Sequence, residues 1–116
     1  MWPSIVLFVG LLLNLPSATA EVFATKFMNW NESGALEEPA NKAYYLGVMR
    51  GLAWMNTYLE NTGTQPAYCM PEGAEFQEQP IAIIKEFFEK NPQKLKDNPP
   101  TELALLLALI NDYPCD

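Results

Sequence analysis

Residues 39–61 read PANKAYYLGVMRGLAWMNTYLEN, and their spacing decides the fold class. Tyr44, Val48, Leu52, Met55 and Leu59 follow one another at steps of four, four, three and four, an apolar stripe of helical period. Pro39 suits a first helical position, and Glu37 and Glu38 stand at the positive end of the resulting dipole. Gly47 and Gly51 lie four apart beside the stripe. Each weakens a helix by about 1 kcal/mol relative to alanine, so the pair predicts close approach of another helix, the alternative being two glycines that are merely tolerated. Asn61-Thr62-Gly63-Thr64-Gln65-Pro66 then forms a loop that leads to Cys69.

On the N-terminal side, Glu21 to Trp30 carries Val22, Phe23, Phe27 and Trp30, offsets that suit a short amphipathic helix. Asn31-Glu32-Ser33-Gly34 ends it as a turn, and Asn31 opens an N-x-S acceptor sequence that has meaning in a eukaryote. The first 20 residues contain no Lys, Arg, Asp or Glu. Ile5 to Leu13 is an apolar run, Asn14, Pro16 and Ser17 end it, and Ala18-Thr19-Ala20 offers small residues where a signal peptidase needs them. This layout predicts a secretory signal peptide, residues 1–20, cut after Ala20, although no base precedes the run. A membrane anchor is the alternative, but a spanning helix requires about 20 apolar residues. Removing 20 residues from 116 leaves a single domain of 96, Glu21 to Asp116, which keeps the whole net charge of −7.

On the C-terminal side, Glu75 to Asn91 reads as a third helix with Ile81, Ile84, Phe87 and Phe88 inward, and Lys85, Glu86, Glu89 and Lys90 outward. Glu86 and Lys90 are correctly ordered as an i,i+4 pair. Pro80 leaves two readings open: a kinked helix from Glu75, or a start at Pro80 after a separate turn. Asn91-Pro92 ends the segment, and Pro92 to Lys96 has room for one short turn. Asn98-Pro99-Pro100-Thr101-Glu102 opens a fourth helix, whose Leu103 to Ile110 are eight unbroken apolar residues, so it is buried on most sides. Period-2 alternation and Asn-Gly or Asp-Gly hairpins are missing. The expectation is an all-α fold, a small bundle of about four helices clamped by one disulfide.

That clamp joins the only two cysteines, Cys69 and Cys115. In an exported chain they pair, the alternative being two buried free thiols. On the chain-entropy account, whose mechanism is disputed, closing this loop stabilises the fold by about 4 kcal/mol. A domain of this size buries only about two-thirds of its unfolded surface, so the contribution matters.

The same residue list constrains function. An acidic chain does not suit nucleic acid or anionic membrane surfaces, though it suits a basic protein partner; solubility alone also accounts for the charge. With no histidine, neither a Ser-His-Asp nor a Cys-His nucleophile can be assembled, and one cysteine pair does not build an ordinary zinc site. Glu72, Glu75 and Glu78 cluster after Cys69, where acid–base work is one reading and a solvated helix start the other. The expectation is a protein that is not an enzyme and holds no cofactor or metal.

Cys69-Met70-Pro71-Glu72-Gly73, Gln77, Phe88-Glu89-Lys90-Asn91-Pro92, Leu95, Asn98-Pro99, Ala108-Leu109 and Tyr113-Pro114-Cys115 occur in that order. The series resembles the Rap/Tai family of immunity proteins against type VI secretion amidases, and Tyr45-Leu46-Gly47 with Gly51 resembles the family's earlier glycine helix. The chain departs from the family pattern at three places. Trp30 and Tyr45 stand where many members carry a second cysteine pair, which predicts an aromatic contact in its place. Pro80 interrupts a usually continuous helix, and Ala74 replaces a common threonine at its start. The resemblance implies a periplasmic protein, often a homodimer, that occludes the cleft of a peptidoglycan amidase without chemistry of its own. Loops Asn61 to Tyr68 and Asn91 to Pro99 are the surfaces free to enter a cleft. A small periplasmic helper, such as an acid-stress chaperone without toxin specificity, is the alternative, and a drifted family member with another binding role is a third.

Overall fold

A computed structural model of the protein describes residues 21–71 and 79–116. Four α-helices follow in order: α1 (Ala24–Ser33), α2 (Pro39–Asn61), α3 (Pro80–Lys90) and α4 (Thr101–Asp112). Short 3-10 turns at Ala35–Glu37 and Pro92–Asp97 join α1 to α2 and α3 to α4. The all-α bundle clamped by one disulfide is therefore what forms. Among the described residues the extended pairing is a single antiparallel bridge, Phe23 with Pro100.

α3 and α4 are the most extensively packed pair, and they bury stripes of identical spacing. Pro80, Ile83, Ile84, Phe87 and Phe88 are buried on α3, and Thr101, Ala104, Leu105, Ala108 and Leu109 on α4. Both follow the i, i+3, i+4, i+7, i+8 pattern of a helix with one wide apolar face. Ile83 therefore takes the place the periodicity gave to Ile81, which is only half-buried. Pro80 is the first helical residue, where its missing N–H costs no hydrogen bond, and Gln79 before it is extended. Of the two expected starts it is the later one that the described residues show; Glu72, Ala74, Glu75 and Glu78 lie outside them. Lys90 meets Glu86 at 2.9 Å on the outer face, as their order predicts. On α4, Leu103 is 45% exposed, so the apolar run is not covered all round.

α2 keeps the predicted ends, but its buried face is turned by about one residue. Tyr45 and Met49 are its buried residues, whereas Tyr44, Val48, Leu52 and Leu59 lie half-buried at the edge and Met55 is exposed. The reason is a polar core contact that hydropathy does not show. The buried Thr101 hydroxyl donates to the Val22 carbonyl at 2.7 Å, so the Tyr45 hydroxyl must be the donor in its own 2.7 Å bond to Thr101 Oγ1. The Tyr45 ring meets Phe27 edge-on at 5.8 Å, while Trp30 carries the Lys26 ammonium over its ring at 5.1 Å. The aromatic partner expected at Trp30 thus sits one helical turn earlier, at Phe27.

Two further expectations change. Gly47 and Gly51 are exposed, and among the described residues a Cβ at either would meet nothing within 4 Å, so no helix approaches them. Glu21 to Phe23 are extended rather than helical, because Ala24 N–H and Thr101 N–H donate to the Pro99 and Val22 carbonyls on either side of the bridge. Pro100, without an N–H, is not asked to donate. At its other end α1 continues through Asn31–Ser33, and Gly34 stops it in the left-handed conformation (φ 84°) that glycine adopts without a Cβ clash.

The buried tyrosine gives a pH dependence. Burial above all, with the Glu102 carboxylate adding to it, pushes the Tyr45 phenol up to about 12. A folded pKa above the unfolded value near 10 contributes stability that is present below pH 10 and lost as pH rises toward 12. The Tyr44 phenol is raised in the same direction, by burial and by Glu102. Tyr45→Phe should cost about 1 kcal/mol at neutral pH through the lost hydrogen bond, and should flatten the alkaline limb of a thermal-melt series.

Candidate partner-binding surface

The two candidate loops, Asn61 to Tyr68 and Asn91 to Pro99, are both anchored, by different means. The first begins where α2 ends in a Schellman arrangement: Gly63, at φ 80°, donates to Glu60 O, and Thr64 N–H donates to Leu59 O at 2.8 Å. Asn56, one turn back, then forks across the loop. Its Nδ2 donates to Tyr68 O at 2.6 Å and its Oδ1 accepts Ala67 N–H at 2.7 Å. Tyr68 is buried, Cys69 N–H donates to Tyr113 O at 2.7 Å, and the Cys69–Cys115 disulfide closes the end. An eight-residue excursion, Asn61 to Tyr68, is so held on a rigid frame with Thr62, Gly63, Thr64 and Gln65 outermost and exposed.

The second loop, Asn91 to Pro99, spends its C-terminal end on α1. Asn98, at φ 47°, offers Oδ1 to both the N–H and the hydroxyl of Thr25 at 2.8 Å, and Pro99 O takes Ala24 N–H. These bonds satisfy the first two donors of α1, which has no side-chain N-cap of its own. What remains outward is the short 3-10 turn, with Gln93, Lys94 and Lys96 exposed.

The surroundings of the two loops differ more than the loops themselves. On the open side of α2, Trp54 is 75% and Tyr58 66% exposed, and Tyr58 lies one turn before the first loop. On a different face of α2 from these two aromatics, a groove of about 240 Å³ is lined by Asn56, Thr57 and Glu60 and by Tyr68 and Met70. Glu60 is the one charged residue between Gly51 and Pro71. Large exposed aromatics on a weakly charged, rigid face have the composition of a protein-interface centre, whereas the second loop is basic and small. Sequence reasoning passed over Trp54 and Tyr58, although both fall off the apolar stripe of their own helix.

Among the described residues, no cluster of three metal-ligating side chains forms, and no helix is long and apolar enough to cross a membrane. Compared with family models, with curated proteins and with solved structures, the chain matches none.

Proposed function

We propose that this is an exported, non-catalytic binding protein of the Rap/Tai kind, which occludes a peptidoglycan amidase in the periplasm. The observation that carries the reading is the exposure of Trp54 and Tyr58 near the end of α2, the helix that runs into the anchored loop Asn61 to Tyr68. Two aromatic anchors with few rotatable bonds stand on a helix that ends in a loop whose backbone is already fixed, so binding orders little. The order of the cysteine-flanking motifs from Cys69 to Cys115 supports the family, and the disulfide suits an oxidising compartment.

The test is binding to the amidase-like product of the neighbouring gene. Nanomolar association in calorimetry, with survival of cells that co-express the pair, is the expected result. If no such product binds above background, immunity is abandoned. Suppression of client aggregation at low pH would then point to the helper reading.

A further inference from the structure

Val22 is gripped at both of its backbone groups. Its carbonyl accepts the Thr101 N–H and the Thr101 hydroxyl, each at 2.7 Å, and its N–H donates to the Glu102 carboxylate at 3.1 and 3.3 Å. The Tyr44 hydroxyl donates to the same carboxylate. Glu102 stands in the first turn of α4, where negative charge is favoured, and is half-buried. A carboxylate offers about four acceptor positions, and among the described residues one N–H and one O–H take up only part of them.

The atom that follows upstream is the nitrogen of Glu21. Backbone dimensions place it within about 3.7 Å of the Val22 nitrogen, so rotation about ψ of Glu21 can swing it toward Glu102. In an uncut chain that nitrogen is a neutral amide with one hydrogen. After cleavage at Ala20 it is an ammonium with three.

We propose that Glu102 is the receiving site for the α-ammonium created at Glu21, so that removal of the leader itself tightens the strap Glu21–Phe23 against the start of α4. The proposal rests on the export reading, since it needs the cut after Ala20. It gives Glu102 a role at a position where an exposed helix start would be served equally by any acid. The titratable groups that act on the neighbouring Tyr44 phenol are Glu102, Tyr45 and Glu21. Beside an acidic side chain the ammonium form is favoured over the free amine, so its midpoint rises. A raised amine contributes stability that is complete below its ordinary range of about 7.7–8.0 and is lost as pH climbs through the raised value.

The experiment uses the full chain, exported with its own leader and labelled with ¹³C and ¹⁵N. Intact mass first establishes the N-terminal residue. The ¹³Cα resonance of Glu21 is then followed from about pH 6 to 10 in the native protein and in Glu102→Gln, which keeps an acceptor for Val22. The native midpoint should lie about 0.5–1 unit above the ordinary amine range, and the variant should return to it. The ¹³Cδ resonance of Glu102 in the native protein should inflect at the same pH, a readout that does not depend on the variant folding. A mass that begins elsewhere than Glu21 overturns the cut and the latch together. A mass beginning at Glu21 with an ordinary midpoint, with a raised midpoint unchanged in the variant, or with no Glu102 inflection overturns the latch alone.

Discussion

Replacing Cys69 and Cys115 together by alanine is expected to lower the free energy of unfolding by about 4 kcal/mol, and the thermal midpoint by roughly 16–30 °C. The disulfide spans 46 positions, and the loop-closure entropy removed from the unfolded chain grows with the logarithm of that length. Small domains have total stabilities of only about 5–15 kcal/mol, so this one bond accounts for a quarter or more of the margin. Its position explains why the loss should not be local. Cys69 leads out of the Asn56-anchored loop and Cys115 follows α4, so the bond encloses the whole α3–α4 pair, which holds most of the buried apolar residues. Paired denaturant titrations of the native and double-alanine proteins check the figure. A difference under about 1 kcal/mol would mean that α3 and α4 hold together without the clamp.

How far these features were legible in the sequence depends on the range of the contacts behind them. The ends of α2 were readable because Pro39 and Gly63 act locally: one presets a helical φ, the other supplies the left-handed residue that closes the Schellman turn. The exact face of α2 was not. Tyr44 and Tyr45 are equally hydropathic, and what separates them is that one phenol finds Thr101, 56 residues away, while the other finds Glu102. The strap at Val22 was unreadable for the same reason, since its partners lie about 80 positions on. Gly47 and Gly51 misled in the opposite direction. Their spacing fits a helix crossing, yet the face they occupy is open. The two candidate loops could be seen as loops from their Gly, Pro and Asn content, but that content did not say which follows a helix with exposed aromatics near its end.

Truncating that aromatic pair should separate binding from folding. Trp54 and Tyr58 are each more than half exposed, so Trp54→Ala and Tyr58→Ala should leave the unfolding free energy within about 0.5 kcal/mol of the native value. If the face is the centre of the amidase contact, each should weaken binding by about 2–4 kcal/mol, roughly 30- to 1,000-fold. The loss should appear mainly as faster dissociation, because neither side chain carries a charge to steer encounter. Lys94→Ala on the Pro92–Asp97 turn is the matched control. It removes a charge from the other loop, and on this assignment it should change affinity less than about threefold, mostly through the association rate. The reverse ranking, with Lys94→Ala severe and both aromatic variants mild, would move the contact to the basic turn. It would also leave Trp54 and Tyr58 as aromatic surface without a binding role, an arrangement that small monomeric proteins generally avoid when the residues adjoin.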